Sequence, residues 1–154
     1  MGVTGKPVAV EGDTKYEYWA KIAFAGIDKV RKRLSAEKQF FECSGYLFAI
    51  RNGVIKEFPF ETSEDSIIPF LFWQKGYKIA YANDALVYVK NPNNWNDWLN
   101  QKIRNVKAHE NLSKIAPDMP RTKSLLNEIK EGAFFAIKQP SNSKEFFWTV
   151  ELYF

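Results

Sequence analysis

A single cysteine, Cys43, stands in 154 residues. One thiol forms no internal disulfide, so nothing in the chain asks for an oxidising compartment. No stretch reaches the roughly 18 to 20 apolar residues of a spanning helix, and the opening Met1-Gly2-Val3-Thr4-Gly5-Lys6-Pro7 lacks the apolar run of a signal peptide. The expected form is therefore soluble or peripheral, on the cytoplasmic side. A phosphate-cradling glycine loop, a zinc-type cysteine cluster, an internal repeat and a low-complexity tract are all missing as well. His109 has no acidic or cysteine neighbour at metal-ligand spacing, which makes it a surface helix residue.

What the chain does contain is apolar and aromatic material, 45% and 16% of its residues. That excludes intrinsic disorder and gives one folded core at this length. Lysine and arginine exceed aspartate and glutamate by 22 to 18, a charge of +4. The excess suits an anionic partner such as a phosphate, a lipid headgroup or nucleic acid, and does not choose among them.

Thr14-Lys15-Tyr16-Glu17 has the spacing of a capping box. Tyr16, Trp19, Ala20, Ala23, Phe24, Ile27, Val30 and Leu34 then recur every three or four residues, with Lys15, Lys21, Asp28, Lys29 and Arg31 on the other side. This predicts a long amphipathic helix. Phe40 to Ile50 reads as an extended, mostly buried segment interrupted at Ser44-Gly45, and Arg51-Asn52-Gly53 as a turn. Pro69 predicts a helix that begins no earlier than about Ser66 and ends at Gly76, leaving Glu64 and Asp65 at its positive end. Two short β runs lie between Tyr77 and Lys90, separated by Asn83-Asp84. A second long helix, capped by Asn93 or Asn94 and carrying Trp95, Trp98, Leu99, Ile103 and Val106, runs to about Leu112. Beyond Ala116-Pro117 a helix-prone stretch from Lys123 to Glu131 leads to Phe134 and to the aromatic segment Phe146 to Phe154. The fold class expected is α/β or α+β, a small mixed sheet flanked by long amphipathic helices.

Two groups could carry chemistry. A carboxylate at a helix start, Asp65 beside Glu64, could take a proton from an attacking hydroxyl, although the same pair is also an ordinary helix cap. Gln101 and Arg104 are three apart and so share a helix face, where a guanidinium could meet developing phosphate charge or simply face solvent. Cys43 is expected as a small buried residue.

The order Phe40-Phe41-Glu42-Cys43-Ser44-Gly45, Leu47-Phe48-Ala49-Ile50-Arg51, Ser63-Glu64-Asp65 and Gln101-Lys102-Ile103-Arg104, with Gly76 to Tyr88 between the last two, resembles the acceptor half of the catalytic domain of family 2 glycosyltransferases. It covers roughly residues 1 to 112. The resemblance implies a partial GT-A fold over 1–115, then an interfacial helix and a membrane-proximal segment over 116–154. It implies an inverting hexosyltransferase of polysaccharide or glycolipid biosynthesis at the inner face of the cell membrane. Asp65 then corresponds to the catalytic base and Glu64 to its neighbour, while Cys43, Ser44 and Gly45 line the acceptor site. Gln101 and Arg104 take the first and fourth places of the QxxRW signature that closes over the diphosphate. Its tryptophan is Asn105 here, which points away from cellulose-type processive polymerases.

The implied partners are a nucleotide sugar, a saccharide or lipid-linked acceptor and a membrane surface, with no nucleic acid. A divalent cation, Mg²⁺ or Mn²⁺, is expected for the complete enzyme. Its ligands, a DxD motif on a Rossmann-like first half, are not in this sequence, and Met1 to Pro7 looks like the stretch that follows that motif. The chain is accordingly expected to be a fragment, a split protein or a degenerate relative that pairs with a complementary N-terminal half or with itself. The alternative is a non-catalytic membrane-surface or interaction module, in which Trp95, Trp98 and Trp148 sit at the interface beside Lys102, Arg104 and Lys107. The enzyme reading expects Asp65 and Arg104 to face one cleft on the side of Ser44.

Overall fold

Hydrogen bonding of the first strand on both sides organises the molecule, whose computed structural model describes residues 2–57, 62–120 and 133–153. Strand β1 (Gly2–Ala9) pairs antiparallel with the short β2 (Phe48–Ile50) and parallel with β3 (Ile79–Val89), giving a three-stranded mixed sheet in the order β2-β1-β3. The architecture is mixed α and β. Lys123 to Glu131 and Phe154 fall outside the described residues, as does the side chain of Phe134.

Helix α1 (Lys15–Ala36) starts where the capping box places it, with Thr14 and Glu17 bonding reciprocally. Its buried side chains are Tyr18, Trp19, Ile22, Arg31 and Leu34. Two of the expected faces are thereby revised, because Ala23 is exposed and Arg31 is buried. Residues 27, 31 and 34 are four and three apart, so Arg31 lies in the same stripe as Ile27 and Leu34.

The segment from Phe40 to Ile50 is buried at Phe40, Phe41, Cys43 and Ser44 but forms a strand only at Phe48–Ile50, after a turn closed by Leu47 N–H on the Ser44 carbonyl at 3.2 Å. Gly53 occupies the expected turn with φ +77°.

Helix α2 (Glu64–Gln74) begins two residues earlier than Pro69 was expected to allow. The proline has no N–H for the carbonyl four residues back, which is that of Asp65. That carbonyl accepts the Cys43 N–H at 2.9 Å instead. The helix ends as expected, Gly76 taking φ +76° and Tyr77 N–H bonding the Phe72 carbonyl at 3.0 Å.

Strand β3 replaces the two expected runs. Its register against β1 steps from Gly5 opposite Ala82 to Lys6 opposite Leu86, so Asn83, Asp84 and Ala85 bulge out without ending the strand. Helix α3 (Trp95–Ile115) is capped by Asn94, which accepts the Asp97 N–H at 3.0 Å, and runs three residues past Leu112. The short α4 (Ala133–Ile137) and α5 (Ser143–Tyr153) follow.

Two apolar clusters result. In one, Phe40, Ile67, Ile68, Phe70 and Phe72 meet Leu112 and Ala116. In the other, Tyr18, Trp19 and Ile22 meet Ala136, flanked by Trp98 and Trp148. Helix α3 touches one cluster at each end, and its middle lies open.

Candidate functional site

Three separate stretches converge at the start of α2. The Cys43 N–H holds the Asp65 carbonyl, and the Ser63 hydroxyl donates to Asp65 Oδ1. Oδ2 of the same carboxylate rests against Gly45, where an added Cβ would lie 3.2 Å from it. Ser44 is placed by β1: its N–H donates to the fully buried Thr4 Oγ1 at 2.8 Å, while that hydroxyl donates to the Leu47 carbonyl at 3.0 Å. Asp65 is half-buried and Glu64 is exposed. The structure thus brings Cys43, Ser44, Gly45 and Asp65 together.

Cys43 points its thiol into the interior, where burial pushes its pKa up to about 12 against the lowering influence of Arg31. A protonated, enclosed thiol is no nucleophile, so its part is packing. Arg31 is only 8% exposed. Its Nε donates to the Glu42 carbonyl at 3.1 Å and its Nη2 to the Cys43 carbonyl at 2.6 Å, while Nη1 is buried with no partner among the described residues. Burial pulls the guanidinium's pKa below its ordinary value, opposed by the nearby Cys43, Tyr81, Asp65 and Glu42. Neither Arg31 nor Thr4 was expected at the site. The signal for Arg31 was its place between Ile27 and Leu34, whereas a threonine in a strand announces nothing.

Next to this junction, Asp28 ties α1 to the sheet. Its carboxylate accepts from Lys6 at 3.1 Å, from Lys32 at 2.9 Å and from the Tyr81 hydroxyl at 2.7 Å. Burial works against its charge, but these three donors hold its pKa below the ordinary value.

Gln101 and Arg104 line a different recess, open to solvent, with Lys90, Asn91, Asn93, Asp97 and Asn100 among its walls. Its volume of about 630 Å³ falls inside the roughly 300–1,000 Å³ of small-molecule sites. Two cations, one carboxylate and four amides make it suited to a polar, anionic or hydroxyl-rich ligand. Asp65 is not part of that lining, and among the described residues no hydrogen bond or ion pair joins it to Arg104. Asn105 and His109 are exposed on α3.

Among the described residues no three His, Cys, Asp or Glu side chains gather to hold a metal ion, and the chemistry below is confined to groups of this chain. No protein-family model matches the chain, and no curated protein matches it.

Proposed function

We propose that this chain is the acceptor-side part of a GT-A glycosyltransferase that transfers a sugar from a nucleotide donor, with inversion, to a saccharide or lipid-linked acceptor. The observation that carries the reading is the seating of the Asp65 carboxylate against Gly45, with Cys43 bound to the Asp65 backbone. Gly45 leaves the space beside it clear of side chain.

In the reaction proposed, the acceptor oxygen bonds the anomeric carbon while its proton passes to Asp65, and the bond from that carbon to the nucleoside diphosphate breaks with the electron pair leaving on the diphosphate. Arg104 and Gln101 line the second recess and are given no part in this step. The divalent cation expected with the donor is assigned to no residue here.

The test is a titration of the ¹⁵N-labelled chain with short oligosaccharides, cellobiose and maltotriose among them. Ser44, Gly45 and Asp65 amides are expected to shift. In a transfer assay with labelled nucleotide sugars, Mg²⁺ or Mn²⁺ and a separately supplied donor-binding domain, Asp65→Asn is expected to keep the shifts and lose rate by roughly 10² to 10⁴. Silence of those amides across the panel would sink the reading.

A second reading has its own observation. Trp95, Leu99, Ile103 and Val106 form an exposed stripe on α3, with Lys102, Arg104 and Lys107 on the same helix. Phe146, Phe147 and Val150 are exposed on α5. Apolar rings beside cations suit the interface of an anionic membrane. Among the described residues no helix is long and apolar enough to cross one.

A further inference from the structure

We propose that Arg31 is a positioning residue for this site, a clamp that fixes the 42–45 segment against Asp65. The proposal rests on the reading of Asp65 as the base. Its geometric part does not. A guanidinium offers five N–H donors in a rigid fork. Here the fork spans two consecutive carbonyls, Glu42 and Cys43, from one side. The same segment is also held by Cys43 N–H on the Asp65 carbonyl, by Ser44 N–H on Thr4 Oγ1, and by the Ser66 hydroxyl on Glu42 Oε2 at 2.8 Å.

The segment is thus fixed by side chains and by the start of α2. A piece of chain with no ladder of its own opens easily unless such bonds hold it. Arg31 supplies two of them with charge behind both, and charge-assisted bonds are the stronger kind.

The cost of keeping it there argues against simple filling. Nη1 is buried without a partner among the described residues, and a buried unpaired donor on a charged group is expensive. An apolar side chain in the same stripe would avoid that cost. What it could not do is grip two successive carbonyls, and so hold the segment that carries Gly45 against Asp65.

Amide hydrogen exchange on the full chain tests this, using Arg31→Gln, Arg31→Lys and, as control, the exposed Arg33→Gln on the same helix. In Arg31→Gln the Cys43 and Ser44 amides are expected to exchange at least about tenfold faster, with β1 and β3 amides unchanged. Arg31→Lys should recover part of the protection, and Arg33→Gln should match the parent chain. Unchanged Cys43 and Ser44 amides in Arg31→Gln, or equal acceleration across the whole sheet, would overturn the proposal. Should Arg31→Gln fail to fold, Arg31→Lys carries the same comparison, local acceleration supporting the clamp and uniform acceleration refuting it. The oligosaccharide titration separates the two ideas. Local loosening with no saccharide response in the parent chain would leave the clamp standing and remove the glycosyltransferase.

Discussion

Gly5 shows how tightly the site is built at the level of single residues. A Cβ there would lie 2.5 Å from Leu47 Cδ2 and 2.6 Å from the Ala85 carbonyl oxygen. The first neighbour belongs to the turn that carries Gly45, and the second to the bulge in β3. Gly5→Ala is therefore expected to lower stability by about 1–3 kcal/mol in urea unfolding, since backbone cannot move aside as a flexible side-chain tip can. Cys43 gives a prediction in pH. Its thiol ionises near 9 in the unfolded chain and at about 12 in the fold. Between those values the unfolded state has lost a proton that the folded state keeps, so stability falls as pH rises through this window and is intact below it. The slope from this one group is at most about 1.4 kcal/mol per pH unit. Denaturation at several pH values above 9 should show a shallower decline in Cys43→Ala than in the parent chain, and equal declines would refute the assignment.

At the scale of elements, Pro69 does more than mark a boundary. Because it cannot bond the Asp65 carbonyl, that oxygen is left for Cys43, and one residue type thereby joins α2 to the 42–45 segment. Pro69→Ala introduces a competing N–H and a small void at a fully buried position. It should cost about 1–3 kcal/mol and accelerate Cys43 amide exchange while leaving helix content in circular dichroism unchanged. Both effects are needed, for a stability loss with normal Cys43 protection would mean packing alone. The elements themselves were largely legible in the sequence, since the capping box at Thr14, the cap at Asn94 and the glycine stop at Gly76 are local signals that act over three or four residues. Asn83-Asp84 misled because a bulge and a turn share the same residues, and only the pairing of both halves with β1 decides between them. Arg31 misled for a different reason. Its charge assigned it to solvent, whereas the carbonyls that satisfy it come from residues 42 and 43, beyond the helix. Of the candidate site, neither the seating of Gly45 against Asp65 nor the placing of Gln101 and Arg104 in another recess could be read locally, since both depend on how distant segments pack.

Across the whole molecule, burial is uneven. Two apolar clusters take up one face of α1, the body of α2 and the ends of α3, while Val106 remains 59% and Phe147 70% exposed. Combined with a net charge of +4, this surface predicts binding to vesicles that contain anionic lipid. Ile103→Glu with Val106→Glu should weaken that binding by tenfold or more in co-sedimentation, on the order of 1 kcal/mol for each buried aliphatic side chain withdrawn, without lowering the melting temperature. Equal binding to neutral vesicles, or unchanged binding of the double variant, would remove the membrane reading.

The central place of β1 also has a consequence for synthesis. Of the three strands it leaves the ribosome first, yet its parallel neighbour ends at Val89, so the ladder that covers it cannot close until residue 89 has been made. Throughout that interval Val3, Val8 and Ala9 travel as an uncovered sticky ribbon. Chaperones that recognise extended apolar peptide should accordingly engage the nascent protein early and let go only after residue 89 emerges.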